Sequence, residues 1–201
     1  LKHHPFLAYC LLFWFRLHFR IFHRISVEGL DKIPTDGPLI VACNHVSNAD
    51  PPALCGFTAL KRKINILAKK ELFKIPIMGK VLKWGGAIPL ERAKSGGDLS
   101  ALRNAFSVLK EERCLIVFPE GTRSKTGKRL KAKTGIALFA HKTGAPVLSA
   151  RIFNSNNWLK LGKIILKYGK LRRFELKEGQ DVREAYAEFS EKVMDDIFEI
   201  K

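Results

Sequence analysis

Leu39-Ile40-Val41-Ala42-Cys43-Asn44-His45-Val46-Ser47-Asn48-Ala49-Asp50-Pro51-Pro52-Ala53-Leu54 reads as a strand, a loop and the start of a helix. The length and β-branched content of the first five residues favour a strand. Proline just inside a helix start is well tolerated, because its missing N–H has no partner to lose there, so Asp50-Pro51 marks the helix. Between the two, one short loop carries a histidine and a carboxylate five positions apart. On a strand that odd separation would put them on opposite faces, and on a continuous helix it would leave them about 140° apart. They meet only if the chain turns, and Ser47, Asn48 and Ala49 suit a turn. In that geometry Asp50 accepts from one ring N–H of His45, fixes the tautomer, and leaves the other nitrogen free to take a proton. A plainer reading stands beside it: Asp50 as the cap of the following helix, and His45 as an ordinary packed or surface residue.

Outward from this stretch, short apolar runs recur at 64–68, 87–90, 114–118, 146–153 and 163–168, each bounded by Gly, Pro or charge. Helical patterns lie between them. Asp98 can cap a helix with Leu99, Leu102, Phe106 and Leu109 on one face, Gly135 to Lys142 forms a shorter one, and Asp181 opens a third with Val182, Ala185, Phe189, Val193 and Ile197 inward. Strands alternating with helices predict an α/β domain with a mixed, partly parallel sheet flanked by helices. At 201 residues the chain is long enough for one full core, and it is divided into an N-terminal segment, 1–26, and the α/β domain, 27–201. No repeat or low-complexity tract interrupts it.

Hydrophobic content of 46% with 27% charged residues excludes a disordered chain. The net charge of +17 is unusual and unevenly placed: residues 181–201 hold seven acids against three bases, so the positive excess lies in 1–180. Anionic partners follow, among them a negatively charged membrane, phosphorylated metabolites, acidic proteins or nucleic acid. No RNA- or DNA-binding motif is present, which argues against nucleic acid. Pro5 to Phe15 is nearly all apolar, and Arg16, His18, Arg20, His23 and Arg24 then alternate with Leu17, Phe19, Ile21 and Phe22. The apolar run is well short of the roughly 20 residues of a spanning helix, and no small-residue cleavage site follows it. An amphipathic helix in the membrane interface suits this composition, with an ordinary packing helix as the plainer alternative. Cys10, Cys43, Cys55 and Cys114 lack metal spacing and read as buried free thiols in a reducing compartment.

Phe118-Pro119-Glu120-Gly121-Thr122-Arg123-Ser124 follows another apolar run, at the kind of strand end where α/β proteins place ligands. Gly121 permits close backbone approach, Thr122 offers a hydroxyl, and Arg123 presents a fork suited to phosphate. Glu120 is expected to order Arg123 or to hold a substrate hydroxyl. Arg92, Lys69 and Lys70 are further phosphate candidates, and Lys125 to Lys133 forms a basic loop beside them. As isolated features, each of these also reads as a solvated surface.

Taken in order, Asn44-His45 to Asp50, Gly86 to Arg92, Phe118 to Ser124 and Ala145-Pro146-Val147-Leu148-Ser149-Ala150 resemble the four sequence blocks of the glycerolipid acyltransferase family, and its bacterial 1-acyl-glycerol-3-phosphate branch in particular. The likeness spans about Val27 to Phe153. Pro89 and Glu91 depart from the usual second block, and Ser149 from the second proline of the fourth. The resemblance implies an acyltransferase domain preceded by an amphipathic membrane-interface helix. It implies transfer of an acyl group from acyl-CoA or acyl carrier protein to lysophosphatidic acid, with no metal and no cofactor beyond that co-substrate. His45 would be the general base and Asp50 its partner, while Lys69, Arg92, Glu120, Gly121, Thr122 and Arg123 would hold the acceptor. The Glu-Gly-Thr-Arg form favours lysophosphatidate over glycerol-3-phosphate. The implied location is the cytoplasmic face of the cell membrane, on an anionic surface. A rival reading makes Ser47 the nucleophile of a lipid hydrolase, although three triad members within six residues would struggle to align.

Overall fold

The structure, a computed structural model, describes residues 5–91 and 98–201. Among the described residues seven strands form one sheet: β1 (Ser26–Glu28), β2 (Leu39–Cys43), β3 (Ile64–Lys69), β4 (Ala87–Leu90), β5 (Cys114–Val117), β6 (Val147–Phe153) and β7 (Ile165–Arg172). Their order is β1-β7-β6-β2-β5-β3-β4, and every neighbouring pair is parallel except β6 with β7. The helices are α1 (Pro5–His23), α2 (Asp50–Thr58), α3 (Pro76–Trp84), α4 (Leu99–Lys110), α5 (Gly135–Thr143) and α6 (Val182–Glu199).

The period-2 alternation of strands sorts the core into two layers. Leu39, Val41 and Cys43 of β2 and Cys114 and Ile116 of β5 pack with Leu12 and Phe19 of α1 and Ala53, Leu54 and Phe57 of α2. Ile40, Ala42, Leu115 and Val117 point the other way, onto Ala101, Ala105, Ile136, Ala137, Phe189, Val193 and Ile197 of α4, α5 and α6. The helix after β2 therefore lies on one face and the helix after β5 on the other. From the adjacent strands β2 and β5 the chain departs in opposite directions, to β3 and to β6. This is the switch point of an α/β sheet, where a crevice opens beyond the carboxyl ends of the strands. Residues 44–49 and 118–124 leave from that edge.

Asp98 and Asp181 cap α4 and α6, each accepting two backbone N–H groups at 2.9–3.1 Å. Leu99 and Val182, expected to face inward, are exposed instead, because each sits at its helix's first position, ahead of the packed turns. The sequence does not announce α3, which is only nine residues long and carries Gly79 within it, a residue of low helix propensity. The expected basic face of α1 also differs. Arg16 donates to the Gly56 carbonyl at 3.1 Å and Arg20 lies over the Phe57 ring. His23 is fully buried, with Nδ1 donating to the Gly162 carbonyl at 3.2 Å. Among the described residues no helix is long and apolar enough to cross a membrane.

Candidate active site

Asp50 opens α2 but does not cap it. Its carboxylate turns back, and Oδ2 accepts from Val46 N–H at 2.7 Å, Ser47 N–H at 2.7 Å and His45 Nδ1 at 2.8 Å. A carboxylate oxygen that already takes two backbone N–H groups accepts here too, so Nδ1 is the donor and Nε2 is the ring nitrogen left outside this bond. Asp50 is 0% exposed, and its Oδ1 has no partner among the described residues. The His45 ring stacks on Phe118 at 4.2 Å and 21°. The ring is held from two sides, by hydrogen bond and by aromatic face.

Main-chain bonds fix the surrounding loops. The Asn44 side chain acts as a piece of strand: Nδ2 donates to Ile152 O at 3.0 Å and Oδ1 accepts from Ile152 N–H at 2.8 Å. That ties the exit of β2 to β6. Ser124 N–H donates to His45 O at 2.8 Å, joining the two loops of the site directly. Within 118–124, Gly121 N–H returns to Phe118 O at 3.0 Å, and Lys133 N–H donates to Pro119 O at 2.8 Å. Gly121 adopts φ +69°, a left-handed turn that glycine enters without a Cβ clash. This turn separates the loop's side chains: Thr122 and Arg123 are exposed, whereas Glu120 is 2% exposed.

Glu120 therefore does not order Arg123, as the sequence had suggested. Neither of its carboxylate oxygens makes a well-aligned hydrogen bond among the described residues. Burial pushes its pKa up to about 7, and the Asp50 charge pushes the same way, opposed by the backbone N–H of His45. Arg123 has no hydrogen-bond partner among the described residues. Lys69 lies at the carboxyl end of β3, exposed and 3.7 Å from Glu71; Lys70 stands 3.2 Å from Glu91. Arg92 lies outside the described residues. The structure thus brings His45, Asp50 and Glu120 together, with Gly121, Thr122 and Arg123 on the adjoining turn, and leaves Lys69 on the same sheet edge without contact. Ser47 Oγ accepts from Ala49 N–H at 3.1 Å, an assignment that serves the turn rather than the histidine.

Asn44, Phe118 and Ser124 hold the geometry around His45, although no local pattern marks them. Each acts through a partner far along the chain, and only their place inside the blocks signalled them. Clefts of about 520–540 Å³ lie elsewhere, around β7 and the end of α6, lined by mixed charges such as Glu28, Lys167, Lys170 and Asp196. Among the described residues no group of three or more His, Cys, Asp or Glu could hold a metal ion.

Residues 24–152 match the family described as Acyltransferase. The chain belongs to that family. Similar acyltransferases include the chloroplastic 1-acyl-sn-glycerol-3-phosphate acyltransferase LPAT1 of Arabidopsis thaliana, 31% identical over 173 residues, covering 85% of this chain and 47% of that protein. The 1-acyl-sn-glycerol-3-phosphate acyltransferase of Bacillus subtilis (strain 168) is 30% identical over 148 residues, covering 74% and 70%. The crystal structure of the 1-acyl-sn-glycerophosphate (LPA) acyltransferase PlsC from Thermotoga maritima superposes with a TM-score of 0.73 at 30% identity, over 97% of this chain and 80% of that one. The chain spans about half the length of several of the curated acyltransferases it matches.

Proposed function

We propose that this acyltransferase moves an acyl group from a thioester of coenzyme A or acyl carrier protein to the sn-2 hydroxyl of 1-acyl-glycerol-3-phosphate, giving phosphatidic acid. The observation that carries the reading is the 2.8 Å bond from His45 Nδ1 to a buried carboxylate at the switch point, beside the loop that presents Arg123. Nε2 takes the hydroxyl proton as the oxygen attacks the thioester carbonyl. The tetrahedral adduct then collapses, the C–S bond breaks, and the thiolate leaves with a proton returned from His45. Asp50 steadies the transient imidazolium and keeps the ring's tautomer; a general base of this kind contributes about 10²–10⁴ in rate.

Arg123, with Arg92 and Lys69, seats the acceptor phosphate, so binding energy is spent on orienting the hydroxyl. Gly121 and Thr122 shape the turn that meets it, the main-chain bonds of Ser124 and Lys133 hold that turn beside the dyad, and Glu120 lies buried beneath it. The acceptor and product are lipids. The chain docks on the anionic cytoplasmic face of the cell membrane, with the apolar side chains Phe6, Tyr9, Phe13 and Trp14 of α1 turned outward for that purpose.

Radiolabelled acyl transfer from acyl-CoA and from acyl carrier protein, each to lysophosphatidate and to glycerol-3-phosphate, tests the reading. Product is expected with lysophosphatidate and lost in His45→Ala. Transfer to glycerol-3-phosphate alone, to neither acceptor, or undiminished in His45→Ala overturns it.

A further inference from the structure

We propose that residues 72–78 are a second membrane-docking element, a wedge that enters the headgroup region of an anionic bilayer beside α1. The proposal rests on the reading above that the acceptor is a membrane lipid, and it adds where and how the domain itself meets that membrane.

The stretch Leu72-Phe73-Lys74-Ile75-Pro76-Ile77-Met78 runs from a 3-10 turn (Lys70–Lys74) into α3. Phe73 packs against the core, and its neighbours do the opposite. Leu72, Ile75, Ile77 and Met78 all face outward, Ile77 at 79% exposure. Four large apolar side chains exposed within seven residues are more than the scattered surface leucines of ordinary domains.

The wedge is also built to hold its shape. A Cβ on Gly79 would lie 2.2 Å from the carbonyl oxygen of Phe73, so only glycine lets the turn close onto the helix. Gly79 N–H donates to Ile75 O at 2.7 Å across the same junction. The apolar residues are thus presented by a rigid corner.

Charge selects the occupant. Residues 72–84 hold three lysines (Lys74, Lys80, Lys83) and no acid. A second copy of a +17 chain would set like charge against like. Anionic headgroups supply the opposite sign, and basic residues flanking an apolar edge match the composition of interfacial elements.

Position completes the case. The wedge follows β3 at the carboxyl edge of the sheet, the edge from which 44–49 and 118–124 leave. Helix α1 packs against α3, so its outward aromatic residues and the wedge belong to one assembly. Two contacts fix an orientation that one amphipathic helix alone would leave free to swivel, and the orientation they fix brings the dyad's edge toward the lipid.

The test compares the 201-residue chain with Ile77→Asp/Met78→Asp, and separately with Lys74→Glu/Lys80→Glu, in flotation with phosphatidylglycerol–phosphatidylcholine vesicles and with phosphatidylcholine alone. Wild type floats with the anionic vesicles. The apolar double variant lowers the partition coefficient at least about tenfold, and the lysine variant lowers it on anionic vesicles only. Thermal unfolding and transfer to a short-chain, water-soluble lysophosphatidate stay at wild-type levels in both. Absence of that transfer in wild type would sink the functional reading and leave the flotation result standing. Flotation of Ile77→Asp/Met78→Asp equal to wild type overturns the wedge. So does sedimentation showing a wild-type dimer that this variant abolishes, or a loss confined to acyl carrier protein binding.

Discussion

Replacing Glu120 by Gln should change how the protein's stability depends on pH. The carboxyl of Glu120 is 2% exposed, makes no well-aligned hydrogen bond among the described residues, and is close enough to Asp50 to feel its charge. In the unfolded chain it titrates near the ordinary 4.5; in the fold, near about 7. Between those values the folded protein keeps a proton that the unfolded chain has released, so stability falls as pH rises. The shift corresponds to about 3 kcal/mol, fully present below the unfolded value and lost as pH passes through the folded one. Glutamine does not titrate, so its effect on packing is constant with pH. Urea unfolding of both proteins between pH 4.5 and pH 8 reads the difference directly. The stability of Glu120→Gln relative to wild type should climb by about 3 kcal/mol across that window, mostly before pH 7. Parallel curves, or a gap that closes with rising pH, would show that the carboxyl is not held neutral by its surroundings.

Asp50→Asn should keep the fold but lower kcat by two to four orders of magnitude, about the range for losing a general base's orienter; a rate within about threefold of wild type would remove Asp50 from the mechanism. Arg123→Ala is expected to raise the KM for lysophosphatidate far more than it lowers kcat, as steady-state kinetics with a saturating donor would reveal. Asn44→Ala strips Ile152 of both its hydrogen bonds at the end of β6, and should cost about 1–3 kcal/mol in denaturant unfolding, with a larger proportional loss of turnover.

The centre of the sheet was legible because its strands are buried on both sides and read as unbroken apolar runs. β2 matches the expected 39–43 and β5 stops one residue short of the expected 114–118, while β4, at the edge of the sheet, still matches 87–90. β7 extends to Arg172, past the expected 168, because its outer half alternates lysine and arginine with leucine and glycine, which no apolar run records. Helix α3 was not legible for another reason: with Leu82 toward the core and Ile77 and Met78 outside, its nine residues, interrupted by Gly79, are too short a run to mark a helix. In the site, the meeting of His45 with Asp50 was legible because only a turn could join them. The two N–H groups that share the same oxygen were not, since a loop's backbone direction is set by its anchors. Asn44 pairs with a residue 108 positions away, a bond no window of sequence contains. Glu120 lies in a stretch that composition marks as solvated; it is buried because the left-handed turn at Gly121 folds it under while its neighbours stay outside.

The link from Ser124 N–H to His45 O, with the Phe118 ring laid against the imidazole, makes one body of the arm that would grip phosphate and the arm that holds the imidazole. An acceptor that tugs on the first must displace the second. Selection for a bulkier or differently charged headgroup therefore cannot reshape the grip without detuning the proton transfer, and altered acceptor preference in this lineage should come with compensating changes around Phe118 and Asn44.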